Sequence, residues 1–443
     1  MTQPIDAGRR RILRLLAASA AGAGWLPAAR AASDTVVVLT SYPEELSSRF
    51  ARAFEAAHPG ARVEILWRRS ADALAYLRSS GAAQVDVYWS PAPRNFRLLK
   101  AEGRFARLPD PPADLPGRIA STPISDPDQA FAAFELAGYG IAYHRGRVAE
   151  LGLPAPRDWA DLGAPAYRGQ VQLPIPARVG FAPVLIEAIL QGQGWDAGWA
   201  TLAAIAANAR FDRSDATPQA DDLGDGRIAA RLSIDFFAAQ ARATNPQVGF
   251  VYPPRTVFNP AHVAIFADAP HPQAAARFVD FVLSREGQAL LLDPDVNRLP
   301  VRRSLYEDHP ALSARPFADD GMTYDDGLTR ARQGLVAAVF EHSLVREHPR
   351  SVALWQALHR AEADPVAPRE RVGRARALLS TPAVSQADQA DATLRGIFQD
   401  PDLRPGQATP PPGPRRLAIE DAWQQALAAR RREADELLAD WRP

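Results

Sequence analysis

The chain alternates unbroken apolar runs of strand length with stretches in which apolar residues return every three or four positions. Thr35-Val36-Val37-Val38-Leu39-Thr40 is a largely β-branched run, the pattern of a strand buried on both faces of a parallel sheet. From Glu44 to Ala57, Leu46, Phe50 and Phe54 recur every four residues and predict a helix, which His58-Pro59-Gly60 ends. Residues 62–67 form a second strand pattern, Ser70 is placed to cap a helix over 71–79, and residues 85–89 read as a third strand ending at Ser90-Pro91. Strands alternating with helices predict an open α/β sheet, whose ligands bind beyond the carboxyl ends of the strands. That rule singles out three loops, at Ser41-Tyr42-Pro43, Arg69-Ser70 and Ser90-Pro91.

A second α/β set follows. Gly138 and Gly140 punctuate the apolar run 138–143 and can permit a crossing between lobes, and residues 169–174 form the next strand. The turn Ala177-Arg178-Val179-Gly180 leads into a helix over 184–191. Residues 228–234 and 249–252 read as short strands, 262–266 as a returning strand and 272–283 as a helix. Two lobes joined by a double crossover are the economical reading. After about residue 305 the pattern becomes helical, with apolar faces at Leu335, Val336, Val339 and Phe340, at Val352, Trp355, Leu358 and His359, and over 372–379. A proline-rich linker at 407–414 precedes a helical tail over 416–441.

The predicted organisation is therefore an export signal over 1–31, lobe 1 over 32–137, lobe 2 over 138–261 and a return to lobe 1 over 262–304. A helical extension (305–400), the linker (401–415) and a terminal helix (416–443) complete it. Arg9-Arg10-Arg11 before an apolar stretch, with Ala29-Arg30-Ala31 at its end, reads as a signal peptide of the twin-arginine type, cleaved before Ala32. The product is expected to be a free periplasmic protein.

Composition narrows the chemistry. Basic and acidic residues each number 51 among 443, so no global field favours nucleic acid, and the absence of cysteine excludes disulfides and thiolate sites. Lys100 is the only lysine, so about one position in nine is arginine and a lone arginine carries little weight.

Six separated cues fall in register with a known group: Val36 to Pro43 with Glu44-Glu45-Leu46; Gln84 to Tyr88; Ala137 to Tyr143; Pro156 to Leu162; Ala166-Tyr167-Arg168-Gly169; and 272–281 followed by Leu283-Ser284-Arg285-Glu286-Gly287-Gln288. Together they resemble the ferric-type substrate-binding proteins of ABC importers over residues 35–303. Gln333-Gly334-Leu335-Val336 and Trp355 to Glu362 resemble the phosphoglycerate transport regulatory branch of that group. The resemblance implies an α/β, two-lobe periplasmic binding protein fold of type II-like topology with an all-helical C-terminal extension. It further implies closure on a small solute and a membrane partner, either an ABC permease or a sensor kinase.

Members that hold ferric ion use adjacent tyrosines, since phenolate is a hard anionic donor. The matching place here reads Ile234-Asp235-Phe236-Phe237, and phenylalanine has no ligating atom. The expectation shifts to an organic or phosphorylated anion, held by arginines and helix N-termini at Arg69-Ser70, Arg178-Val179 and Arg213-Ser214. Ser41, Tyr42 and Ser90 are expected to donate neutral hydrogen bonds, and Asp235 either to accept from the ligand or to hold a neighbouring arginine. A regulatory sensor reporting to a membrane histidine kinase, and a ferric-ion carrier, stand as alternatives. No cofactor, metal or catalytic role is expected. His342 and His348 are expected to be solvated, and the calcium-like run Asp293 to Asn297 carries Arg298 where such a loop needs glycine.

Overall fold

The computed structural model describes residues 34–119, 122–212, 222–309, 312, 315–318, 322–399 and 411–442. The export-signal assignment, the Arg213-Ser214 pair and most of the proline-rich linker lie outside the described residues. Twelve strands are described: β1 (Thr35–Thr40), β2 (Arg62–Trp67), β3 (Val87–Ser90), β4 (Arg118–Ile119), β5 (Thr122–Pro123), β6 (Ala132–His144), β7 (Val171–Pro174), β8 (Ala209–Asp212), β9 (Ala230–Ile234), β10 (Val248–Val251), β11 (Phe258–Ile265) and β12 (Leu299–Pro300). Apart from the β4–β5 hairpin they form one continuous path in the order β2-β1-β3-β11-β6-β9-β7-β8, with β10 and β12 also on β6.

Lobe 1 is built on parallel β2, β1 and β3, with β11 antiparallel beside them. Its helices α1 (Glu44–Ala57), α2 (Ser70–Leu77) and α3 (Pro93–Ala101) cover the two faces together with α7, defined below. The four-residue spacing of Leu46, Phe50 and Phe54 buries all three against the sheet, where they meet Trp89, Phe134 and Phe278. Lobe 2 has β9, β7 and β8 in parallel and the helices α4 (Ala182–Gln193), α5 (Trp195–Asn208) and α6 (Asp235–Thr244). The helix α7 (Pro272–Leu283) returns the chain to lobe 1.

The crossing between lobes lies within a single strand. β6 pairs with β11 up to Gly138, and from Tyr139 onward it pairs with β9. Gly138 is needed there because a Cβ would stand 2.4 Å from the Tyr252 ring and 2.6 Å from the Phe258 ring. β6 begins six residues before this crossover, so one strand serves both halves of the sheet.

The extension consists of α8 (Asp326–Phe340), a π-helical turn (Glu341–Val345), α9 (His348–Ala363), α10 (Arg369–Ser380), α11 (Ala392–Phe398) and α12 (Pro414–Leu437). Its apolar faces do not form a separate core. Leu335, Val339, Phe340, Trp355, Leu358, Phe398 and Trp423 join Leu185, Ile189, Trp195 and Trp199 of lobe 2 in one cluster. A buried ion pair seals that joint: Arg332 donates to both Glu187 oxygens, at 2.8 and 2.7 Å, and to Gln389 at 2.7 Å. The two histidines expected in solvent are part of this packing. His342 is buried with Gln424 at 2.6 Å from its Nδ1, and His348 Nε2 lies 2.8 Å from the Ala206 carbonyl. Each ring replaces water with a fixed partner and an aromatic neighbour, Trp423 and Phe211 respectively.

Candidate functional site

The carboxyl ends of β1 and β3 meet the start of α2, and three hydroxyls from three segments converge there. Ser41 Oγ lies 2.8 Å from Ser90 Oγ, and Ser70 Oγ donates to Ser41 Oγ at 3.0 Å. Ser70 is the first residue of α2, not its cap; Arg69 occupies the cap position and makes no side-chain capping bond. The Arg69 carbonyl takes the Asp72 and Ala73 N–H groups, so the Ser70 and Ala71 N–H groups begin the helix without an intrahelical partner, next in the chain to the Ser70 hydroxyl, a local arrangement suited to an oxyanion. Asn95 on α3 holds the helix start in place, donating to the Ser70 carbonyl and to the Tyr88 hydroxyl, both at 2.9 Å.

Tyr42 does not join them. Its ring is buried and its hydroxyl donates to Glu135 Oε2 at 2.7 Å, within the core under the site. Arg69 is exposed and paired with Asp72 at 2.9 Å, which spends its charge locally. Val179 is buried, and Arg178 lies on the wall of a different cavity, described below.

The cation that bridges the lobes is Arg298, read in the sequence only as a flaw in a calcium-like loop. Its Nη1 donates to Glu135 Oε1 at 2.5 Å, and its guanidinium sits 4.0 Å from the Phe236 ring centre and 5.5 Å from that of Tyr42. Glu135 and Tyr42 belong to lobe 1 and Phe236 to lobe 2, so Arg298 spans the gap. Burial disfavours its charge, but Glu135 outweighs this with the other anionic neighbours, leaving the guanidinium more firmly protonated than usual. No local motif distinguishes this residue from the other arginines. The signal that singles it out is the contact with two rings and a buried carboxylate.

Asp235 stands at the crossover. Its Oδ2 accepts from Gly138 N at 2.7 Å and from the Tyr252 hydroxyl at 3.0 Å, and its Oδ1 accepts from Phe236 N at 2.7 Å. Burial pushes its carboxyl up to about 7 despite those donors and Arg298. Both of its oxygens thus accept from groups at the strand crossing. Phe236 and Phe237 follow, the latter 5.7 Å from Phe181 between ring centres. This carboxyl-and-phenyl set does not fit a trivalent iron ion. Arg49 binds Asp293 at 2.5 Å and Asp295 at 2.9 Å, which explains the calcium-like run as a solvent-side ion pair.

A contact between the extension and both lobes crosses the same gap. Arg97 on α3 pairs with Asp326 at the start of α8 at 2.7 Å, and Tyr324 N donates to Thr122 Oγ1 at 3.1 Å. On the other side, Gln191 of lobe 2 exchanges bonds with the Asp325 backbone, at 3.1 and 2.8 Å.

The family described as bacterial extracellular solute-binding protein matches residues 90–318. The phosphoglycerate transport regulatory proteins PgtC of Salmonella typhimurium (strain LT2) and of Salmonella typhi are each 28% identical to this chain over 377 residues, which cover 84% of it and 91% of each relative. Among solved structures, an ABC transporter from Clostridium perfringens ATCC 13124 is 19% identical with a TM-score of 0.52, covering 68% of this chain and 97% of that one. That likeness supports the two-lobe α/β reading of the fold. No described helix is long and apolar enough to cross a membrane.

Proposed function

The chain is a bacterial extracellular solute-binding protein, and from that premise we propose that it captures a small anionic solute, phosphoglycerate-like or another organophosphate, for an ABC importer by closing its lobes in the periplasm. The observation that carries this reading is the convergence of the Ser41, Ser70 and Ser90 hydroxyls at the open start of α2. Arg298 lies between the lobes with its charge shared with Glu135, and its remaining N–H groups together with the hydroxyls match phosphate oxygens. The name of the PgtC relatives, tied to phosphoglycerate transport, agrees with that chemistry. Iron is disfavoured by Phe236 and Phe237, which offer no hard donor, and by the commitment of Asp235 to the hinge.

Calorimetric titration of the purified chain with phosphorylated three-carbon acids and sugar phosphates tests the reading. Binding is expected; Ser41→Ala should weaken it by about 1.5–3 kcal/mol through the lost bond to a charged oxygen, and Ser90→Ala, whose buried hydroxyl positions that of Ser41, should weaken it less. Absence of binding across the panel, or unchanged affinity in both variants, would overturn it.

A second reading, a regulatory subunit that reports occupancy to a membrane histidine kinase, is favoured by the Arg97–Asp326 and Thr122–Tyr324 contacts. The extension shares a core with lobe 2 and reaches lobe 1 through these contacts, so a change in the interlobe angle must move or break them. Loss of signalling with ligand affinity retained in Arg97→Ala would support it, whereas unaltered signalling would count against it.

A further inference from the structure

A cavity of about 560 Å³ lies between the β7–α4 loop of lobe 2 and the extension, walled by α8, the π-helical turn and the start of α12. Its charged lining comprises Arg178, Arg346 and Arg416 against Glu341 and Glu420, with His342 beside them. Glu420 is spoken for: Arg416 Nε donates to it at 2.9 Å, and the Arg416 guanidinium lies 4.9 Å from the Phe398 ring centre. Arg178 and Arg346 make no side-chain hydrogen bond or ion pair among the described residues. With Arg416 they bring three guanidiniums to the lining of one cavity. The π-helical turn is a second, independent feature. It interrupts the run from α8 towards α9 between Glu341 and Val345, the segment that carries His342 and is followed directly by Arg346. Such widened turns are rare and concentrate at functional sites.

We propose that this cavity is a second binding site, separate from the interlobe cleft, for a small organic or inorganic oxyanion of the phosphate or carboxylate class. Arg178 and Arg346 grip the anion from opposing elements, because guanidinium forks match such oxygens in pairs. Arg416 adds charge from α12, and the volume suits a metabolite-sized ligand. Glu341 sits on the same wall and limits the site to ligands with enough negative charge to prefer two free guanidiniums over one carboxylate. His342 is held below its usual range by burial, then by Arg346, so it is neutral at physiological pH and leaves the charge of the cavity to the arginines. Because the walls come from lobe 2 and from both sides of the linker, an anion bound here ties α12 to the β7–α4 loop. The inference does not depend on what the cleft binds.

Equilibrium dialysis of the full chain with radiolabelled inorganic phosphate and with citrate tests it. Saturable binding of at least one probe is expected, weakened at least tenfold in the Arg178→Ala/Arg346→Ala double variant and less in Arg346→Lys. The same binding should persist in Ser41→Ala/Ser90→Ala, which alters the cleft and not this cavity. Both arginines are exposed, so the double variant should melt like the parent; a lowered melting temperature shifts the comparison to Arg346→Lys alone, for which an intermediate affinity is expected. No saturable binding of either probe, binding indifferent to these arginines, or binding lost only with the serines would overturn the proposal.

Discussion

Asp235→Asn is the substitution whose consequence can be worked out most fully. The carboxyl of Asp235 moves from an ordinary value of 3.8 to about 7 on folding, because burial at the crossover disfavours the charge more than three donors and Arg298 favour it. A raised folded value means that the native state holds the proton more tightly than the unfolded chain does. Its stabilising contribution is therefore complete below about pH 4 and is lost as pH rises through 7. At about 1.4 kcal/mol for each tenfold change in proton affinity, the full loss is about 4 kcal/mol, of which about 3 falls between pH 4.5 and 8.5. Asn keeps a carbonyl oxygen for the Gly138 or Phe236 N–H and cannot ionise. The stability of the variant relative to the parent, from urea titrations at a series of pH values, should rise by that amount over the interval. A difference that stays flat from pH 4.5 to 8.5 would show that the carboxyl titrates normally and that burial at the crossover does not disfavour its charge.

Three further outcomes are expected. Arg332→Ala leaves Glu187 buried without its partner and should cost about 3–5 kcal/mol; because lobe 2 and the extension share a core, chemical denaturation should show both losing structure in one transition. Arg97→Ala removes a half-exposed ion pair worth at most about 1 kcal/mol, so it should change the balance of interlobe arrangements no more than about fivefold, measured by small-angle scattering, with little effect on melting. Gly138→Ala forces a methyl against the Tyr252 and Phe258 rings and should destabilise the chain by about 1–3 kcal/mol, read from its urea midpoint, as overpacking does elsewhere.

Much of the frame was legible from periodicity, because β1, α1 and α7 carry patterns that only one environment satisfies. Ser41, Ser70 and Ser90 were accessible through the rule that α/β sheets present their ligand loops at strand ends, and Gly138 through its position inside an apolar run. What pattern cannot supply is the direction of a side chain just past a strand. Ser41 faces its two serine partners while Tyr42, one residue on, turns into the core towards Glu135. Arg298 escaped notice for a related reason. Its importance comes from Glu135 and Phe236, respectively 163 and 62 positions earlier in the chain, and no local spacing encodes that meeting. The apolar faces of the extension were equally visible, yet nothing in them named lobe 2 as the surface they cover.

Closure itself can be measured directly. The chain has no cysteine, so Glu64→Cys on lobe 1 and Arg157→Cys on lobe 2 give a uniquely labelled pair for energy transfer. Addition of a phosphorylated three-carbon acid should shorten the distance between the labels in a saturable manner, and Ser41→Ala should move the midpoint to higher concentration. A distance unaffected by every phosphorylated acid, or one that shortens only with ferric citrate, would contradict capture of an organic anion between the lobes.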